Sequence, residues 1–273
     1  VSVVADPGRS ANVDPLSEGD LTVIGQITTA SNATLVCEAE AGDRSVRCVY
    51  KPVRGERPLW DFPDGTLAGR EYAAYLVSES LGWGVVPRTL LRDGPFGVGM
   101  VQQWIDSTDR QTQPGGLDLV DVCAPESIPD RWFEVLEASD ATGSPISLIH
   151  ADDPRLLRMA VLDVVLNNAD RKGGHVLEGL DGQVYGVDHG ICLHVDDKLR
   201  TVLWGWAGET VPADLRVDIS ELVEALDSDL GGALAEHVTD DEITALQVRA
   251  VELAECGTMP LPTGSRRIPW PPF

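Results

Sequence analysis

NNADRKGGHVL, residues 167–177, carries an acid, two bases, two glycines and a histidine on six consecutive positions, Asp170 to His175. It follows the strongly apolar run DPRLLRMAVLDVVLNN at 153–168. A helix end needs no more than one glycine and a basic residue, so this much polar chemistry asks for another reason. A second acid, Asp188, follows in YGVDHG at 185–190. Two carboxylates that leave a helix or strand end into glycine-bearing turns suit a metal-nucleotide site. The plain alternative is two turn-forming aspartates.

Upstream of this stretch the pattern reads as strands. LTVIGQI (21–27), ATLVCEA (33–39) and SVRCVYKP (45–52) are joined by TTASN and by EAGDR, a hairpin signal. A helix is expected at GREYAAYLVSESLG (69–82), ending at Gly82, and strands at 85–92 and 97–105. Downstream, helices are expected at 129–140, 153–168, 218–228 and 240–256, with two short strands around residue 180. The 153–168 run is apolar on most sides and so reads as central. The expected division is a loose lead-in (1–18), a β-rich lobe (19–105), a helical lobe (106–258) and a proline-rich tail (259–273).

Length and composition bound the possibilities. The 273 residues are 43% hydrophobic, enough for a two-lobed unit with a sizeable core. The formal charge of −23 repels nucleic acid and anionic membrane, so neither is an expected partner. No basic amphipathic helix argues for stable membrane association. Five scattered cysteines without CxxC spacing speak against a disulfide framework or zinc site, and a cytoplasmic setting is expected. Residues 1–16 lack the basic start and apolar centre of a signal peptide. His150, His194 and His237 have no metal-ligand spacing, and GxSxG, HExxH and GxxxxGK[ST] are all missing, so hydrolase and Walker-type readings are unsupported.

Four features stand in order: Lys51 ending a strand in VYKP, Glu71 in the helix that follows, Asp170 with Arg171, Lys172 and His175, then Asp188. This order resembles the protein-kinase-like superfamily, in particular its phosphoinositide 3-/4-kinase-like branch and the actinobacterial members of that branch. The resemblance spans roughly residues 20–230. It implies an α+β, two-lobed fold, with a small antiparallel β lobe carrying one helix and a larger, mainly helical lobe. It also implies an ATP-dependent phosphotransferase using Mg²⁺ or Mn²⁺. On this reading Lys51 neutralises nucleotide phosphates and Glu71 holds it. Asp170 orients or deprotonates the acceptor hydroxyl, with Arg171 and Lys172 balancing local acid or contacting phosphate. Asp188 binds the metal. Thr28, Thr29, Ser31 and Asn32 would cap phosphate oxygens, against the alternative of an ordinary polar turn. Gln103 and Trp104, in MVQQWID, fall where backbone groups bind adenine.

Two residues depart from the family pattern. His175 stands where an Asn is usual, so it either binds metal with altered preference or weakens the second metal site. Asn167 and Asn168 are alternative donors of a carbonyl oxygen. His189 stands where Phe is usual. These departures keep open a nucleotide-binding pseudokinase serving as a regulatory interaction module, or a nucleotidyl transferase. The expected acceptor is a hydroxyl on a protein or a small polyol of the inositol type. Asp163 either buttresses the catalytic loop or is simply a paired buried acid. Trp204 and Trp206 form a substrate wall or a partner surface, against the alternative of packing on the helical lobe.

Overall fold

A computed structural model of the chain describes residues 13–28, 32–108, 116–264 and 266–273. Strands β1 (Asp20–Gln26), β2 (Leu35–Ala41), β3 (Arg44–Pro52), β4 (Thr89–Gly94) and β5 (Gly97–Gln103) form one antiparallel sheet in the order β1-β2-β3-β5-β4. Between β2 and β3 the chain reverses at Gly42, whose φ of 65° favours glycine. Side chains alternate across the sheet. On one face Cys37, Ala39, Cys48, Tyr50 and Val101 pack around Leu16. Lys51, next to Tyr50, therefore points to the opposite face.

Leu16 belongs to a short helix, α1 (Pro15–Glu18), capped by Asp14, which also pairs with Arg88. Arg92 donates to the Leu16 and Gly19 carbonyls at 3.0 and 2.8 Å. Residues 13–18 are thus an ordered cover for the sheet and not the loose lead-in expected of them; one buried leucine and two arginines tie them down. Residues 1–12 lie outside the described residues.

The opposite face of the sheet receives α2 (Leu67–Ser80), which touches β4 and β5. Thr66 caps it through the Gly69 N–H, and the Glu56 carboxylate accepts from the Leu67 and Ala68 N–H groups. The inner side of α2 is made of small residues, with Ala73, Ala74 and Val77 fully buried. These join the larger core, so α2 belongs to both halves of the molecule.

Beyond the sheet the chain is less helical than expected. Residues 129–140 do not form a helix. They hold β7 (Trp132–Ser139), which pairs with β8 (Pro145–Ala151), itself paired with β6 (Val120–Cys123). The cause is a register shift between Glu134 and Leu136. It breaks the two-residue alternation and puts Trp132, Phe133, Val135 and Leu136 at helix-like spacing. The turn SDATGSP that closes the hairpin is built on Asp140, which accepts from the Thr142 and Ser144 N–H groups.

The central helix is α3 (Pro154–Leu166), with Pro at its start, Asp153 as its cap and Asn167 in the left-handed region as its stop. It is buried on nearly every side and packs with α4 (Ala213–Leu226) and α6 (Asp240–Cys256) in the larger core. Between α3 and α4 lie the short strands β9 (Val176–Glu178) and β10 (Val184–Gly186). A sixth helix, α5 (Asp229–Leu234), precedes α6. The α+β, two-lobed arrangement is therefore as expected, with a second small sheet added to the helical lobe. Among the described residues no helix is long and apolar enough to cross a membrane.

Candidate active site

The face of the sheet that meets α2 brings four titratable groups together. Lys51 Nζ lies 2.7 Å from Glu71 Oε1 and 2.6 Å from Asp188 Oδ1. Asp188 Oδ2 lies 3.3 Å from His175 Nε2. Glu71 is buried, whereas the Asp188 side chain is 47% exposed, so the cluster opens to solvent on the Asp188 side. Burial pushes the Glu71 carboxyl up to about 7, against the pull of Lys51. Burial alone would lower the Lys51 ammonium, but the charges of Asp188 and Glu71 raise it above its ordinary value. The Lys51 charge holds Asp188 well below the usual carboxylate range. Burial lowers His175 to about 4, so its ring is neutral near pH 7.

Asp170 and Lys172 sit in the loop between α3 and β9. The Lys172 ammonium lies 3.4 Å from Asp170 Oδ2, and burial raises the Asp170 carboxyl. Asn168 Oδ1 accepts the Asp170 N–H at 3.0 Å and fixes the start of the loop.

Arg171 points the other way. It is fully buried and donates to both oxygens of Asp163 at 3.0–3.1 Å, to the carbonyls of His175 and Val187, and to His189 Nε2 at 2.6 Å. A guanidinium only donates, so His189 accepts through Nε2. Burial and Arg171 hold this histidine well below its ordinary value. Arg171 balances an acid, as one expectation had it, but the acid is Asp163, and an interior guanidinium reaches no phosphate. Asp163 also accepts from Asn168 Nδ2 and Thr201 Oγ1, at 2.9 and 3.2 Å, and so buttresses the loop that carries Asp170. Asp188, with φ of 62°, sits in a backbone region uncommon for non-glycine residues, though aspartate enters it more readily than most, next to the pinned His189.

Other expected residues fall outside this cluster. Thr28 is exposed, and Thr29 and Ser31 lie outside the described residues. Asn32 Oδ1 accepts the Arg57 N–H, which ties the turn to the loop after β3. Gln103 and Trp104 donate their N–H groups to the Arg88 and Arg47 carbonyls, so neither N–H is free for a base. The Asn168 and Asn167 side-chain carbonyls accept from the Asp170 and Lys198 N–H groups; they are spent within the loops and not directed at a metal. Trp206 packs against Phe133 and His150, and Trp204 donates to the Arg267 carbonyl. Trp206 therefore follows the packing alternative, while Trp204 is half-buried and held to the C-terminal segment. Sequence reasoning named Asp163 as one option but missed Thr201. A carboxylate inside an apolar helix was the only signal for that network.

Among the described residues no group of three or more His, Cys, Asp or Glu is arranged to hold a metal ion. Asp188 and His175 offer two donors side by side. Such a pair fits a cation that brings its own oxygen ligands, as a nucleotide-bound ion does, better than a resident metal.

No family model matches the chain. Protein Rv2133c of Mycobacterium tuberculosis is 56% identical over 262 residues, which cover 94% of this chain and 94% of that protein. The chain belongs to the same family as Rv2133c. Among solved structures, the Golgi casein kinase overlaps 88% of this chain and 72% of its own, at a TM-score of 0.44 and 12% identity. The Helicobacter pylori proinflammatory kinase CtkA overlaps 89% of this chain and 94% of its own, at 0.45 and 11%. Both overlaps are loose, and for the Rv2133c family no chemistry follows from them. The site stands on its own geometry.

Proposed function

We propose that the chain is an ATP- and divalent-metal-dependent phosphotransferase of the protein-kinase-like superfamily. The acceptor would be a hydroxyl on a protein or a small polyol, and the setting cytoplasmic. The observation that carries the reading is Lys51, held at once by Glu71 on α2 and by Asp188 beyond β10. A lysine braced by a buried carboxylate and aimed at an open one is suited to neutralise nucleotide phosphates. Lobes over 19–105 and 106–258 would then flank the nucleotide.

Asp170 would accept the proton of the acceptor hydroxyl. Burial raises its carboxyl above the ordinary value and so makes it a stronger base than an exposed aspartate. The acceptor oxygen forms its bond to the γ-phosphorus as the bond from that phosphorus to the ADP oxygen breaks. Lys172, beside Asp170, supplies positive charge at the same place. Asp188 and His175 would hold the cation, which when bound neutralises charge on the phosphates. A neutral imidazole among the ligands favours Mn²⁺ more than an Asn would. ATP turnover in Mg²⁺ and in Mn²⁺, with Asp170→Ala as the control, tests the reading. Turnover that Asp170→Ala leaves unchanged, or none in either metal, would sink it.

One observation favours a second reading, a nucleotide-binding pseudokinase. Lys51 and His175 already engage both oxygens of Asp188. A chain that keeps those contacts would bind ATP without transferring phosphate. An ATP-dependent thermal shift without ADP formation would select it.

A further inference from the structure

The catalytic loop is held from outside by the segment 266–273. The Gly173 N–H donates to the Pro272 carbonyl at 2.8 Å. The Phe273 ring occupies the space that a side chain at 173 would need; a Cβ there would come within 2.2 Å of Phe273 Cε1. The same segment grips the stretch that follows the Asp188 turn. Arg267 O accepts from the Thr201 N–H at 3.2 Å and from Trp204 Nε1–H at 2.7 Å. Between the two grips Ile268 packs against the larger core and Pro269 is buried. Phe273 also lines a cavity of about 420 Å³ together with Thr108, Gly174 and Leu177.

We propose that residues 266–273 are a strap that positions the catalytic loop, with Pro272 and Phe273 as positioning residues for Asp170. The inference rests on the phosphotransferase reading above. Gly173 lies three residues beyond Asp170 and is followed by a second glycine, so this turn has more conformational freedom than any other part of the loop. One hydrogen bond and one ring stacked on the bare backbone remove that freedom. Thr201, gripped by the strap, also bonds Asp163, the carboxylate that anchors Arg171. The strap therefore acts on the loop from both sides without touching the reacting atoms.

The glycine and the ring make a complementary pair, which gives the test. Gly173 is outside the left-handed region, and the three atoms nearest to an alanine Cβ there all belong to the ring. Phe273→Ala, Gly173→Ala and the double variant are compared in the full chain. Each single variant is expected to lower kcat about ten- to a hundred-fold, the cost of a misplaced catalytic group, and to leave KM for ATP within about two-fold. The double variant is expected to be no worse than the weaker single, because the atoms that the alanine Cβ meets first are gone with the ring. Phe273→Tyr is expected to retain activity. Amide hydrogen exchange at residues 170–175 should rise in both single variants. Additive losses in the double variant, a change in KM alone, or unchanged exchange at 170–175 would each overturn the strap. A wild-type chain without turnover would remove the phosphotransferase reading, while the exchange measurement would still decide whether the segment holds the loop.

Discussion

At the scale of single residues, Asp163 and Arg171 carry most of the consequence. They form an interior ion pair in which every guanidinium nitrogen has a partner. Removing one member of such a pair leaves a buried charge uncompensated, at about 3–5 kcal/mol. Asp163→Ala is therefore expected to lower the urea midpoint by a corresponding amount, and to loosen the Asp170 loop even where the chain still folds. Lys51→Met makes the contrasting case. Its loss should reduce ATP turnover about a hundred-fold or more and cost less stability than Asp163→Ala, because Glu71, already pushed up to about 7 by burial, takes up a proton once its partner is gone. A fall in stability of the Asp163 size in Lys51→Met would mean that the cluster is structural.

Elements turn these side chains into a site. The position of β3 depends on Gly99 of β5, where a Cβ would meet the Lys51 carbonyl at 2.5 Å and the Tyr50 ring at 2.6 Å. Gly99→Ala is expected to cost about 1–3 kcal/mol and to shift the strand that bears Lys51; chemical denaturation together with turnover would report both. The β6-β8-β7 sheet has its own sensitivity, through His150. The ring accepts the Gly205 N–H at Nε2 and donates from Nδ1 to the Ala151 carbonyl, so it is neutral; it packs on Phe133 and Trp206. Burial lowers it from 6.5 to about 4, and the nearby Asp152 only partly offsets this. Above about pH 6.5 it is neutral in both folded and unfolded chains. As pH falls toward 4 the unfolded chain takes up the proton first, so stability is lost across that window, by about 2 kcal/mol at pH 5. His150→Gln should flatten the slope of stability between pH 7 and 5.

The elements also show what the sequence made legible. The five strands around Lys51, the helix of Glu71 and the apolar α3 follow from patterns that hold throughout each element. The hairpin over 132–151 was hidden by one bulge, and the strap by its composition, since RRIPWPPF has no periodicity to read. In the site, Lys51, Glu71, Asp188 and His175 were singled out by their order along the chain, which resembles the protein-kinase-like superfamily, and the fold brings them side by side. The inward turn of Arg171 was not visible, because a basic residue in a polar loop reads as exposed until the interior carboxylate of Asp163 has been located.

Over the whole molecule, the net charge of −23 opposes the approach of any polyphosphate. Screening that repulsion should help, so KM for ATP is expected to fall as ionic strength rises from about 20 to 200 mM, the reverse of a site served by a basic surface. A rise in KM over that range would point to a local basic entrance.

One helix decides how the two lobes come apart. α2 packs its small residues into the larger core, lies against β4 and β5, and reaches α6 through Arg70, whose guanidinium is 2.6 Å from Glu242 in the interior. A lobe that melted first would strip α2 of half its packing and break that ion pair, so neither lobe has an inexpensive way to unfold alone. The expected calorimetric trace is one endotherm whose van't Hoff and calorimetric enthalpies agree. Glu242→Ala, which cuts the tie, is the change expected to split it in two.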